Sequence, residues 1–336
     1  MGLGYEMVEA LLREHAYKPL TGNVVTIGKQ TIYFQPHELI ALMREHGHTP
    51  EVGPEDIQVD SSTVGRRSSH AGLDLISDSA LFALLGVPRL LSLDHSDYEG
   101  ADIIHDLTEP LPDTLTGFAD FVVDGSTLDN TFDPARTVTN FADFLKPGGR
   151  LLMINQYSNH HSPYVLLPPL WYLDYFTMNR FVDCKVYVVL YPQATGGSTG
   201  HHSNIFCIDL RCLLDKERQV SAFVSDWEMG VIVLAEKGVD STSNVYPSQQ
   251  HYRPPGEWDT YRANLALIEA SARPHLVRTR GSITFKNVSG GHLFIDNDFN
   301  ACDPTSAIRR SSGTARSVAS SARGALRRLC HALKAA

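Results

Sequence analysis

The chain has 336 residues, 43% of them apolar, and 29 basic side chains stand against 38 acidic ones for a formal charge of −9. That length accommodates one large α/β domain with appendages and a sizeable buried core. The acidic balance speaks against general nucleic-acid binding, which needs a basic surface to replace phosphate counterions.

No segment approaches the roughly 18 uninterrupted apolar residues of a membrane span. The opening residues carry Glu6, Glu9, Arg13 and Glu14 within their apolar pattern. A secretory signal would start basic and run apolar, so a cytoplasmic location is expected. The five cysteines (Cys184, Cys207, Cys212, Cys302 and Cys330) form no C-x-x-C pair, which fits thiols kept reduced.

The predicted elements run as follows. Tyr5 to Glu14 is a short amphipathic helix. Asn23 to Ile27 is a β-branched strand ending at Gly28. Pro36 to His46 is a helix, with proline at its start and Gly47 past its end. Thr49 to Gly72 is polar and broken by glycine and proline, so it reads as a loop. Ser77 to Leu85 is a helix that stops at Gly86. Arg89 to Leu93, Ala101 to Ile104 and Asp120 to Val123 are strands. Pro134 to Leu145 is a helix with Val138, Phe141, Phe144 and Leu145 on one face. Lys146-Pro147-Gly148-Gly149 turns the chain into a strand from Arg150 to Ile154. Trp171 to Phe181 is a helix, and Lys185 to Tyr191 and Gly230 to Glu236 are two more strands. A helix at Trp258 to Ala272 and a strand pair around Ile283 to Phe294 follow.

Strands alternating with helices imply a mainly parallel sheet, helices on both faces, and right-handed crossovers. The expected organisation is an α/β domain over 1–238, with an insertion at about 48–76. An accessory region over 239–303 and a basic Ser/Arg/Ala-rich tail over 304–336, read as disordered, complete the chain.

In an open parallel sheet ligands sit beyond the carboxyl ends of the strands. Three successive predicted strands end near an acid: Asp94, Asp106 and Asp124. A carboxylate suits a ribose, because it accepts hydrogen bonds from two hydroxyls. Near an adenine it can accept from the exocyclic amine.

The block Phe118-Ala-Asp-Phe-Val-Val-Asp-Gly-Ser-Thr-Leu-Asp-Asn-Thr-Phe-Asp-Pro134, with Phe144-Leu-Lys-Pro-Gly-Gly-Arg-Leu-Leu152, resembles the fourth-strand region of class I S-adenosylmethionine-dependent methyltransferases. Ser92-Leu93-Asp94 and Ile104-His105-Asp106-Leu107 are similar to that family's adenosine-binding motifs. The resemblance is good from Leu90 to Tyr157 and fair onward to Glu236. It implies a doubly wound, mainly parallel, seven-stranded Rossmann-like sheet, with the last two strands able to form an antiparallel pair at one edge. It implies S-adenosyl-L-methionine as cofactor, with Asp94 on the ribose, Asp106 on the adenine side and Leu107 lining the adenine pocket. Asp124 would lie near the methionine or acceptor end. The implied reaction is methyl transfer to a small-molecule or sugar-type acceptor.

Two departures from the family pattern stand out. Its glycine-rich D-x-G-x-G loop is reduced here to Thr26-Ile27-Gly28-Lys29-Gln30, in which only Gly28 remains and Thr26 replaces the acid. The seven residues 95–101, between Asp94 and Asp102, are also too few for a helical crossover, which takes a dozen or more. Both departures resemble a divergent subgroup. The damaged glycine motif keeps a second reading open, a non-catalytic binding or scaffold protein on the same fold.

His160 and His161 follow the Arg150–Ile154 strand, where a near-neutral imidazole can take a proton from an acceptor. They are the candidate catalytic residues; two exposed loop histidines is the plainer alternative. Asn155 and Tyr157 share that location as candidate acceptor-binding residues. Trp171, Tyr172, Tyr175 and Phe176 have helical spacing and read as core. With fifteen histidines, and neither H-E-x-x-H nor a Cys/His cluster, no metal site is expected.

Overall fold

The computed structural model describes residues 2–60, 73–87, 89–158, 163–191, 206–209, 222–224, 228–249, 252–274, 284–288 and 292–296. The helices are α1 (Tyr5–Tyr17), α2 (Pro36–Glu45), α3 (Asp78–Leu84), α4 (Pro134–Phe144), α5 (Pro169–Met178) and α6 (Pro255–Glu269). A two-residue strand, β1 (Gly2–Leu3), precedes α1. The strands that follow are β2 (Val24–Ile27), β3 (Thr31–Ile32), β4 (Leu90–Asp94), β5 (Ile103–Ile104), β6 (Ala119–Gly125) and β7 (Leu145–Gln156). Next come β8 (Asp183–Tyr191), β9 (Phe206–Asp209), β10 (Ala222–Val224), β11 (Glu228–Glu236), β12 (Thr284–Val288) and β13 (His292–Asp296).

The main sheet has the order β5-β4-β2-β6-β7-β11-β8-β9. The first five strands are mutually parallel. β11 lies antiparallel between β7 and β8, and β9 adds an antiparallel eighth strand beyond β8. β10, β13 and β12 form a separate three-stranded sheet, and β1 pairs with β3.

The inner strands are apolar on both faces because helices cover both. Val24, Phe121, Val123, Leu152 and Ile154 pack with Leu11, Leu12, Leu39, Met43 and Phe82 of α1, α2 and α3. The alternate residues Val25, Val122, Leu151 and Met153 pack with Val138, Phe141, Tyr172 and Phe176 of α4 and α5. The aromatic run of α5 is therefore core, as its spacing suggested. Ile268 of α6 belongs to this second cluster as well.

Local chemistry starts the helices where expected. Gln35 and Glu38 form a reciprocal capping box around Pro36 at the head of α2. Ser77 caps α3 and Asp133 caps α4, each accepting a backbone N–H. At Lys146–Gly149 the turn is a bulge inside β7: Ala119 pairs with Leu145, and Phe121 next pairs with Arg150. Gly148 holds φ at +80°, and its N–H donates to Lys237 O at 2.6 Å.

The short β4–β5 link resolves without a helix. Residues 95–102 make a tight excursion, with Gly100 N–H donating to Asp97 O, and β5 is a two-residue strand still parallel to β4. Among the described residues, no helix is long and apolar enough to cross a membrane. The histidines at 160–161 and 201–202, and the tail at 304–336, lie outside the described residues.

Candidate active site

The chain leaves β2 for β4 on one side of the sheet and later crosses to β6 on the other. The switch point is therefore the gap between the carboxyl ends of β2 and β6, where open α/β sheets bind ligands. Gly28, Asp94, Asp106, Asp124 and Asn155 all fall on this edge.

Gly28 follows β2 with φ at +67°, a conformation that glycine adopts without strain, and donates its N–H to Leu93 O at 2.7 Å. Two residues on, Gln30 is buried, and its Nε2 donates to Ile27 O at 2.6 Å and Gly28 O at 3.2 Å. The carboxamide folds back under its own turn. A Cβ placed on Gly125, at the end of β6, would lie 2.0 Å from Gln30 Oε1. Gln30 therefore occupies the space that a second glycine would leave open.

Asp94 ends β4 with its side chain 20% exposed. Its Oδ1 accepts from His95 N–H at 2.6 Å and from His95 Nδ1 at 2.8 Å. Asp106 is exposed, and its Oδ1 accepts from both the N–H and the hydroxyl of Thr108. Those bonds hold its carboxyl below the usual range, with His105 and His95 adding to the effect. His95 thus acts on both acids, so the ends of β4 and β5 form one contiguous polar rim. Leu107 is buried, and its carbonyl accepts from Asn140 Nδ2 at 2.8 Å.

Asp124 has a different character. It is fully buried, and its carboxylate accepts from Thr127 N–H at 2.7 Å and Leu128 N–H at 3.3 Å. Burial pushes its carboxyl up to about 7, with neighbouring Asp129 adding to the rise against the Thr127 and Leu128 bonds. Asp124 acts here as an internal anchor for the 126–130 loop, with no oxygen open to solvent. The same loop holds Ser126 at φ +83°, a strained value for a residue with a Cβ. Ser126 Oγ bonds both carboxylate oxygens of Asp129, which is itself buried. Asp129 in turn accepts from Gln156 N–H at 2.7 Å and donates its own N–H to Asn155 Oδ1 at 3.3 Å.

Asn155 is therefore a buried link between β7 and that loop, while its Nδ2 has no hydrogen-bond partner. Tyr157 is half-buried, its N–H donates to Met229 O at 2.9 Å, and burial pushes its phenol up. Further buried polar atoms along this edge lack partners: Gln30 Oε1, His105 Nε2, Gln156 Oε1 and the Tyr172 hydroxyl. Buried polar atoms are nearly always paired, so a run of orphans at the ligand edge marks a place for a polar ligand. Among the described residues, no group of three His, Cys, Asp or Glu is placed to hold a metal.

Sequence reading missed Gln30, His95, His105, Ser126 and Asp129. Gln30 had a signal, since it stands where the second glycine of the family pattern belongs. Asp129 lies within the block that carries the resemblance, but its role comes from the loop that folds back on β7.

Five parallel strands, with an antiparallel strand inserted between β7 and β8, make the sheet that the resemblance implied, and β9 extends it. The chain has the class I methyltransferase fold. No family model and no curated protein matches it. Solved methyltransferase structures are similar at low identity. A citrinin polyketide synthase CMeT domain matches at 10% identity and a TM-score of 0.34, over 70% of this chain and 52% of that one. Haemonchus contortus phosphoethanolamine N-methyltransferase 2, solved with S-adenosyl-L-methionine, matches at 13% identity and 0.34, over 68% and 52%. A SAM-dependent methyltransferase from Thermotoga maritima matches at 14% and 0.31, over 69% and 91%. The chain spans about half the length of the first two. The strand order, and not these overlaps, defines the methyltransferase fold here.

Proposed function

We propose that the chain binds S-adenosyl-L-methionine along this carboxyl edge and transfers its methyl group to a small-molecule or sugar-type acceptor. The observation that carries this reading is the open rim formed by Asp94 and Asp106, next to the switch point and its unpaired polar atoms. The residues present fit the group. Asp94 Oδ2 is available for ribose hydroxyls, and Asp106 lies on the adenine side with Leu107 behind it. Gly28 and Gln30 face the aminoacyl end.

When bound, S-adenosylmethionine supplies a sulfonium-activated methyl group for in-line displacement. The chain's contribution is to hold donor and acceptor in contact and aligned. Asn155 Nδ2 and Tyr157 orient the acceptor, and His160 or His161 removes its proton where the attacking atom carries one.

Two measurements test this reading. Asp94→Ala is expected to weaken cofactor binding about tenfold or more in calorimetry, the loss of a hydrogen bond to a charged group. Unchanged affinity would remove Asp94 from the site. The double variant His160→Ala/His161→Ala is expected to lower kcat by about 10²–10⁴-fold, with cofactor affinity unchanged. Full activity in that variant would assign proton removal elsewhere.

A specific observation favours a second reading, a non-catalytic binding protein. Gln30 fills space that the family's glycine pattern leaves open, against Gly125. If neither S-adenosylmethionine nor S-adenosylhomocysteine binds at millimolar concentration, the enzyme reading falls.

A further inference from the structure

Gln30 is held more firmly than a space-filling residue needs. Two backbone carbonyls, Ile27 O and Gly28 O, face one end of its carboxamide. Only the NH2 end can meet two acceptors, so the oxygen must point the other way. That direction is toward Gly125, across the switch point between β2 and β6. The backbone is fixed as well, since Gln30 N–H donates to the buried Asp78 Oδ2 at 3.0 Å. The side chain is 1% exposed, and its Oε1 has no partner. A buried carbonyl pinned in this way, at the point where the fold receives ligands, lacks only a donor.

We propose that Gln30 is a ligand-binding residue whose Oε1 accepts a hydrogen bond from the protonated amino group of a ligand's aminoacyl tail. The inference rests on the cofactor reading above, because that cofactor would bring an ammonium to this end of the site. Gln30 then compensates for the missing glycines: a side-chain carbonyl takes over a contact that an open loop would leave to backbone groups. Gly125 is part of the device. A side chain there would push the carboxamide off its two carbonyl partners, since the clash falls on Oε1 itself.

The test compares S-adenosylhomocysteine with its deamino analogue, in which hydrogen replaces the amino group, by calorimetry on the full chain. The wild type is expected to prefer the amino-bearing ligand about tenfold or more, the effect of one charge-assisted hydrogen bond. Gln30→Met, close in size but without the acceptor, is expected to bring the two affinities within about threefold of each other. Gly125→Ala, which displaces the carboxamide while residue 30 stays glutamine, should do the same. Thermal melts establish that each variant folds. A wild type that binds both ligands equally overturns the proposal whether or not the variants fold, and so does a folded Gln30→Met that keeps the full preference. If the wild type binds neither ligand, the cofactor reading itself has failed and this inference falls with it.

Discussion

Replacing Arg273 with alanine is expected to cost about 3–5 kcal/mol of folding stability, the range for removing one partner from a buried ion cluster. Arg273 follows α6 and reaches the edge of the sheet opposite the candidate site. Its three guanidinium nitrogens serve three different carboxylates: Nε bonds Asp183, Nη1 bonds Glu14 and Nη2 bonds Glu236. Glu14 is fully buried and Asp183 nearly so. The pairing of Glu236 with both Arg150 and Asp183 across β11 gathers these groups at one spot. Without Arg273, Glu14 keeps Arg150, Asp183 keeps Lys185 at 3.5 Å and Glu236 keeps Lys18 at 2.7 Å, but each of the three carboxylates loses the donor to its other oxygen. Burial alone would lower the Arg273 pKa, but the three carboxylates outweigh it and raise it. Lysine should not rescue the variant, because a point charge cannot serve three directions at once. Urea unfolding measures the loss. A value under about 1 kcal/mol, typical of a solvated surface pair, would mean that the segment after α6 does not dock on the sheet.

The second large effect is a pH dependence centred on Asp124. Its folded-state value of about 7 stands above the roughly 3.9 of an unfolded aspartate. Between these values the folded chain holds a proton that the unfolded chain has released, so stability falls as pH rises. The contribution is fully present below about pH 4 and is lost as pH passes through 7. At about 1.4 kcal/mol per unit, the whole window spans on the order of 4 kcal/mol. Asp129 is also buried and shifted upward, so it adds to the slope in the same direction. Asp124→Asn isolates the Asp124 part. The amide mimics the protonated acid and retains an oxygen for Thr127 N–H. The variant should melt at nearly the wild-type temperature near pH 4 and above it at pH 8. A carboxyl carbon resonance of Asp124 titrating near pH 4 would refute this account.

The first effect arises from remote partners and the second from burial in the assembled fold, and this separates what was legible in the sequence from what was not. The β4, β6 and β7 strands were legible because each is an apolar run that stops at a polar residue or a glycine. The heads of α2 and α4 were legible from Pro36 and Pro134, which suit the first helical turn. The Lys-Pro-Gly-Gly turn was legible too, although it folds as a bulge within β7. All of these follow from interactions within a few residues along the chain.

The three acids looked equivalent as a series, each at or just beyond a strand end. In the fold, Asp94 and Asp106 stand at a polar rim, whereas Asp124 is sealed beneath the 126–130 loop. No local pattern distinguishes them, because burial depends on which segment folds over the strand end. The same reason hid Arg273, whose partners lie 37 to 259 residues away. Gln30 lies between these cases. Its place in the glycine pattern was visible, but the unpaired carbonyl it presents across the switch point was not. The resemblance from Leu90 to Tyr157 thus established the kind of sheet and the edge that carries the site, because strand and turn chemistry is local. Which acids remain available to a ligand was set by long-range packing, since solvent exposure belongs to the assembled fold and to no single segment.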